Sequence, residues 1–322
     1  MLLLDEAQVG ALLSPRDALA AVERAFLAQA EQQTTLPLRA AVVVDAGLLG
    51  SMPGAVKMGA RALGAKLVTF FPGNSGDRPT HQALIALFDV ADGRPLALMD
   101  GRYITEIRTA AASAVATRIL AHHDSSVIAI LGTGVQARAH AHALAAVLPL
   151  RDARLWGRNR LHAEKLAREL TAAGIKIRAV ETPSQACEGA HVICTTTSSH
   201  EPVLTRDDVS DGAHINAVGA CTPHMRELAA DLMAAVSIFV DSIEGGLNEA
   251  GDIILAIREG ALPPAPRLTL LADAVAGRTG GRTADDEITL FKSLGIAIED
   301  LTCAALVYER AVARGVGTTV QI

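Results

Sequence analysis

One stretch limits the folds open to this chain more than any other: Ser126-Val-Ile-Ala-Ile-Leu-Gly132-Thr133-Gly134-Val135-Gln136-Ala137. A short apolar run reads as a buried strand and meets Gly-x-Gly-x-x-Ala where a helical pattern begins. Gly132 permits the tight turn, Gly134 lets the backbone approach a pyrophosphate, and Ala137 lets the helix pack closely on the strand. The first N–H groups of the helix are then free to bind phosphate. The spacing alone is a weak sign, and its setting gives it weight. Strand-like runs at 126–131, 153–156, 176–179, 192–196, 214–218 and 237–240 alternate with helical runs such as 137–147 and 163–172. Such alternation predicts a parallel sheet covered on both faces. The expected fold is therefore α/β, a doubly wound Rossmann sheet with a dinucleotide held at residues 132–137.

The second strand of such a fold normally ends near an acid that holds the ribose hydroxyls of NAD. Here it runs into Trp156-Gly157-Arg158-Asn159-Arg160, with no acid. A guanidinium at this place pairs with a 2′-phosphate. The reading is NADPH or NADH with NADP favoured, and Arg158 and Asn159 as cofactor contacts. The plainer alternative is that Arg158 and Arg160 are solvated loop charges.

The first hundred residues have a different rhythm. Ser14-Pro15 opens a helical pattern to about residue 32, and strand-like runs follow at 39–45, 55–58, 65–71 and 82–89. Turn residues separate them at Pro53-Gly54, Pro72-Gly73-Asn74 and Asp92-Gly93. A helix over about 102–122 leads into the alternating region, and a last helix spans about 298–313. This predicts a smaller, mostly antiparallel α+β domain over 1–118, rejoined by 300–322, with the Rossmann domain over 119–299.

Composition excludes several classes. Half of the 322 residues are apolar, a fifth are charged and the net charge is −6, which is globular and offers nothing to nucleic acid or an anionic membrane. No stretch of about 18 apolar residues suggests a membrane span. The N-terminus meets Asp5 and Glu6 at once and lacks the basic start of a signal peptide. The four cysteines have no CxxC spacing, so reduced thiols in the cytoplasm and no metal site are expected. His122, His123, His140 and His142 read as solvated helix faces, again without metal-ligand spacing.

Further stretches carry a resemblance along nearly the whole chain. They are Gly64-Ala-Lys66-Leu-Val-Thr-Phe-Phe-Pro-Gly-Asn74, Met99-Asp-Gly101 through Ile107-Arg108-Thr109, Asn216-Ala-Val218-Gly219-Ala, Arg226-Glu227-Leu228, Phe239-Val-Asp241-Ser, Glu249-Ala-Gly-Asp252 and Thr289-Leu-Phe-Lys-Ser-Leu-Gly295. With the glycine loop, these resemble the ornithine cyclodeaminase/mu-crystallin family. The resemblance implies a homodimer formed through the first domain. It also implies an amino- or imino-acid substrate between the domains, beside a nicotinamide. By similarity Lys66 is catalytic, Arg39, Arg108 and Met52 bind substrate, and Thr109, Thr196, Val218 and Gly219 join the cofactor site; His224, in the loop after the fifth Rossmann strand where ligands bind, is a further candidate to contact substrate or donate a proton. Arg39 and Arg108 would clamp the carboxylate bidentately, and a partly desolvated Lys66 would supply a proton. His224 could equally start a helix after Thr222-Pro223, and Asp241, Glu249 and Asp252 read more readily as structural.

Two departures select within the family. Cyclodeaminases resembling this chain carry an aspartate after the glycine of the Val-Gly motif, where this chain has Ala220. A second carboxylate, two residues before Met-Pro, is also missing, since Gly50 stands there. A distal ammonium would then be buried without a partner, which is costly. The implied activity is reduction of a cyclic ketimine carboxylate, Δ1-pyrroline-2-carboxylate or Δ1-piperideine-2-carboxylate. Alanine dehydrogenase, ornithine cyclodeaminase and a non-catalytic NADPH-dependent carrier are the alternatives.

Overall fold

The computed structural model describes residues 1–59, 61–76 and 78–321. In chain order the elements are β1 (Leu2–Leu4), α1 (Glu6–Leu12), α2 (Pro15–Ala30), β2 (Thr34–Thr35), β3 (Ala40–Val44), β4 (Gly47–Val56), β5 (Ala62–Phe70), β6 (His81–Phe88), β7 (Pro95–Asp100) and α3 (Arg102–Leu120). The alternating region follows with β8 (Val127–Leu131), α4 (Val135–Val147), β9 (Asp152–Trp156), α5 (Arg160–Ala172), β10 (Arg178–Ala179), α6 (Pro183–Cys187), β11 (Val192–Thr195) and β12 (His214–Ala217). Then come α7 (Ala230–Ala234), β13 (Val236–Val240), α8 (Ile243–Asn248), α9 (Gly251–Arg258), β14 (Leu268–Leu270), α10 (Leu271–Val275), β15 (Ile288–Lys292), α11 (Ala297–Arg314) and β16 (Thr318–Thr319).

Residues 1–112 with 295–322 form one unit and residues 113–294 another. The breaks lie a few residues before those drawn from sequence. The first falls within the alanine-rich α3, where no turn residue marks it. The second falls at Gly295, whose φ of +74° ends one segment before α11 begins.

The first unit is a sheet in the order β16-β1-β7-β6-β5-β4-β2, with β3 also on β4. Its long neighbours β4 to β7 pair antiparallel. The turn expected at Pro53-Gly54 is absent, because β4 runs straight through it. On one side Pro53 pairs with Ala65 of β5. On the other, β2 ends opposite Ala55 and β3 begins opposite Ser51, so the missing proline N–H falls in a gap. Gly54 and Gly64 form a cross-strand pair beneath α11. A Cβ on Gly54 would lie 2.9 Å from Ala297 Cβ, and one on Gly64 2.9 Å from Leu301 Cδ2. Helix α2 starts as expected, with Ser14 as N-cap and Pro15 in the first turn. Its Asp17 is fixed by Arg310 of α11 at 2.7 and 2.8 Å.

The second unit is a wholly parallel sheet in the order β10-β9-β8-β11-β12-β15-β13-β14. Strands β14 and β15 are additions to the sequence reading. β15 is a fully buried five-residue run without alternation, a pattern that periodicity alone does not separate from helix. Ala129, Leu131, Ile193 and Ile215 point into one core layer, and Ile128, Ile130, Val192 and Cys194 into the other.

The histidine expectation needs correction. His140 is buried, not solvated: Nδ1 donates to Gln136 O at 2.8 Å and Nε2 meets Ser113 Oγ at 2.9 Å. Burial pulls its pKa down to about 4, so it is neutral. His122 and His123 lie beyond the end of α3. Cys187, Cys194 and Cys303 are buried free thiols, and Cys221 is a partly buried one. Among the described residues no helix is long and apolar enough to cross a membrane.

Candidate active site

The glycine loop has the geometry its sequence implies. β8 ends at Leu131 and Gly132 turns the chain at φ +130°. Gly132 N–H donates to Trp156 O at 2.8 Å. A Cβ there would lie 2.5 Å from Thr196 Oγ1, so no side chain fits. Gly134 is the N-cap of α4, with extended backbone and no side-chain cap. A Cβ built on it meets nothing within 4 Å. The head of α4 is therefore open, with its first N–H groups uncapped. Gln136 Oε1 is buried there without a hydrogen-bond partner. Open space and uncapped N–H groups fit the diphosphate end of a dinucleotide.

The other expected cofactor residues are spread over both units. Thr196 follows β11, and its Oγ1 donates to Leu131 O at 3.2 Å. Val218 and Gly219 follow β12. Asn159 is occupied as the N-cap of α5, accepting from His162 N–H at 3.3 Å. Arg160 pairs with Glu164 at 2.9 Å and Glu181 at 2.5 Å. Arg158 is exposed and makes no ion pair among the described residues. Thr109 belongs to the other unit, where its Oγ1 donates to Thr105 O.

Sequence reasoning missed the carboxylate that shapes the two loops after β11 and β12. Glu227 is fully buried and accepts from Thr195 Oγ1 at 2.8 Å, Thr197 N–H at 2.6 Å and Gly219 N–H at 2.7 Å. Gly219 has to be glycine, because a Cβ would overlap Thr197 O. Asp252 Oδ1 accepts the N–H groups of Glu227 and Leu228, while its Oδ2 lies 2.9 Å from Lys292 Nζ. Burial raises the Glu227 pKa, and the Lys292 ammonium opposes that rise. Arg226-Glu227-Leu228 was visible as a motif, but nothing in it tells a buried staple from a surface charge.

The first unit holds Lys66 and, of the expected substrate residues, Met52, Arg39 and Arg108. Lys66 of β5 stands between Met52 of β4 and Ile85 of β6 on one rung of the sheet. Lys66, Met52 and Arg108 are buried. Lys66 Nζ donates to Asp300 Oδ2 at 2.7 Å, and Arg108 Nε donates to Asp300 Oδ1 at 3.0 Å. Arg108 Nη1 donates to Glu299 Oε2 at 2.6 Å. Arg39 reaches the same neighbourhood, with Nη2 3.4 Å from Gly295 O. Gly295 itself lies against the Arg108 guanidinium, and a Cβ there would overlap Nη1.

This arrangement revises the expected clamp. The Arg108 guanidinium already has partners: Asp300 takes the Nε hydrogen and Glu299 one from Nη1, which leaves Nη2 and the second Nη1 hydrogen for a ligand. Burial opposes the Arg108 charge, yet Asp300 and Glu299 beside it hold its pKa above the ordinary value. Lys66 goes the other way. Desolvation, with the Arg108 charge, pulls it down to about 8 despite Asp300. His224 lies in an exposed turn of the second unit, and its carbonyl accepts from His200 Nδ1 at 3.2 Å. It does not start a helix. Asp241 Oδ2 accepts from Leu294 N–H, a structural use.

A parallel sheet of this order, with an open glycine loop at the head of α4, defines a dinucleotide-binding protein of the Rossmann class. The chain belongs to the ornithine cyclodeaminase/mu-crystallin family, whose profile matches residues 1–315. It is 42% identical over 276 residues to the ketimine reductase mu-crystallin of Mus musculus, covering 85% of this chain and 84% of that one. The structure of Thermococcus litoralis Δ1-pyrroline-2-carboxylate reductase with NADH and L-proline superposes with a TM-score of 0.96. It is 40% identical, covering 99% of this chain and 100% of that one. An archaeal alanine dehydrogenase dimer with bound NAD gives 0.94 at 33% identity, covering 100% and 99%.

Proposed function

We propose that the protein reduces a cyclic ketimine carboxylate, Δ1-pyrroline-2-carboxylate or Δ1-piperideine-2-carboxylate, to proline or pipecolate with NAD(P)H. The observation that carries this reading is Lys66: a buried ammonium with a pKa near 8, hydrogen-bonded to Asp300 and flanked by Arg108. An acid of that strength is matched to proton transfer near neutral pH.

Residues 132–137 hold the diphosphate of the cofactor, and when bound the reduced nicotinamide supplies a hydride to the imine carbon. Arg108 Nη2, Arg39 and Lys66 hold the substrate carboxylate. Three cations against the two acids Asp300 and Glu299 leave an excess positive charge suited to a monoanion. Lys66 Nζ gives its proton to the ring nitrogen, so the C=N bond gains a hydride at carbon and a proton at nitrogen. Nothing offers a partner to a distal ammonium at the two positions where cyclodeaminases have acids. Ala220 is buried and a Cβ on Gly50 would meet Val68 Cγ1 at 3.3 Å. The unpaired Arg158 supports NADP(H) over NAD(H), as the guanidinium that would meet a 2′-phosphate.

The same reading makes the protein a homodimer through the outer face of the first sheet. That face exposes Leu63 and Leu67 of β5 with Leu84 and Phe88 of β6, an unusual concentration of apolar side chains on a surface. Absorbance at 340 nm with either imine and NADPH or NADH tests the activity. Rapid loss of signal that Lys66→Ala abolishes supports it. No loss with either imine refutes it, and pyruvate with ammonia, then ornithine, become the substrates to try.

A further inference from the structure

A ketimine reductase needs one proton donor and one carboxylate anchor in fixed relation. In this chain a single side chain touches both. Asp300 lies in the first turn of α11, fully buried, with one oxygen on Lys66 Nζ and the other on Arg108 Nε. We propose that Asp300 is a positioning residue of the reaction. Its carboxylate aims the Lys66 ammonium and fixes Arg108 edge-on, leaving Arg108 Nη2, the second Nη1 hydrogen and the remaining Lys66 hydrogens for the imino acid. The inference rests on the reductase reading above and adds to it the residue through which the proton donor is set.

Three features support this. An anion in the first turn of a helix is favoured by the helix dipole, and Asp300 stands in that turn of α11. Glu299, its neighbour, touches Arg108 but makes no bond to Lys66, so the two acids divide the work. Gly295 seats the guanidinium from the other side, since any Cβ would displace it. The charges facing Lys66 are therefore Asp300 from α11, Arg108 from α3, Arg39 before β3 and His81 from β6. Arg108 and Arg39 lower the Lys66 pKa, and Asp300 holds it up. Cys303, one turn further along α11, has its thiol pushed up by burial and by Asp300, so it does not compete as a proton donor.

The test compares Asp300→Asn with Glu299→Gln in pH profiles of kcat/KM. Lys66 must be protonated to act, so activity falls as pH rises through its pKa. Removing the Asp300 charge lowers that pKa, and the basic limb should move to lower pH by about one unit. Glu299→Gln should raise KM and leave the limb where it is. A limb unmoved in Asp300→Asn, with only thermal stability reduced, would make Asp300 structural and overturn the proposal. Should Asp300→Asn not fold, lysine-ammonium NMR of the unaltered protein decides. The expected spectrum has a Lys66 Nζ resonance correlated across its hydrogen bond with the Asp300 carboxylate carbon. Absence of that correlation also overturns it. Wild-type protein that reduces no imine defeats the reductase reading instead, whatever the NMR result.

Discussion

Gly134 separates the two reasons a glycine can be required, and replacing it by alanine should show which applies. Its backbone is extended at φ −85°, and an added Cβ meets no protein atom within 4 Å. Folding should scarcely notice the change. Alanine is the poorer N-cap by about 0.5–1 kcal/mol, and lower entropy in the unfolded chain returns about 0.4–1 kcal/mol. The net effect is within about 1 kcal/mol, or roughly 4 °C in Tm for a unit of this size. Cofactor binding should suffer far more. The methyl would stand in the space open above α4, between phosphate and the uncapped N–H groups. Losing one such bond to an anion costs about 1.5–3 kcal/mol, which is about a tenfold to hundredfold weaker Kd. Nicotinamide fluorescence titration measures Kd, and calorimetry of the ligand-free protein measures Tm. Gly132→Ala is the contrast, since there the Cβ strikes Thr196 and φ is +130°. It should lower Tm as well as affinity. Unchanged affinity in Gly134→Ala would refute the phosphate site, and a Tm drop beyond about 8 °C, twice the upper shift worked above, would refute the claim that the space is empty.

Gly295→Ala forces a left-handed residue at φ +74° into the Arg108 guanidinium. Strain alone costs about 1–2 kcal/mol, so kcat/KM should fall more than tenfold together with Tm, both read on the purified variant. The rate of imine reduction in unaltered protein should fall tenfold per pH unit above about 8, where Lys66 deprotonates. Stopped-flow at saturating cofactor, corrected for the titration of the imine itself, checks this; a flat profile to pH 10 would remove Lys66 as the acid. Glu227→Gln sets an amide N–H₂ against donors now bound by carboxylate oxygens. A loss of about 2–4 kcal/mol in chemical denaturation is expected, and less than about 0.5 kcal/mol would mean those bonds are not made. Arg158→Ala should weaken NADPH at least about tenfold, the loss of one charged pair, and NADH by less than twofold. Equal effects on both would remove Arg158 as the 2′-phosphate contact.

What the sequence made legible follows a physical boundary. The glycine loop, the strand–helix alternation and the Ser14-Pro15 helix start are local, so neighbours along the chain reveal them. The pattern failed where a residue's environment depended on distant chain. Pro53-Gly54 reads as a turn, and only the gap between β2 and β3 makes room for it inside β4. His140 looked solvated because its helix carries polar neighbours, yet Ser113, 27 residues earlier, covers it. The five residues of β15, all buried, gave no period at all.

The acid partners of the candidate site are the sharpest instance. Lys66 and Asp300 lie 234 residues apart, and Arg108 and Glu299 lie 191 apart. No local rule joins them. In the sequence Ile296-Ala-Ile-Glu299-Asp300-Leu-Thr-Cys the two acids read as the favourable first turn of an amphipathic helix, normally a solvated one. Nor do the cations announce partners, because a lysine or arginine implied to bind a substrate carboxylate already has a use. Only buried charge demands a counter-charge, and burial is a tertiary fact. Once Lys66 and Arg108 are known to be buried, an acid between them is required. A guanidinium without acid partners, the expectation from sequence, then becomes the less tenable geometry, because it would leave two positive charges out of water with nothing between them until substrate arrived.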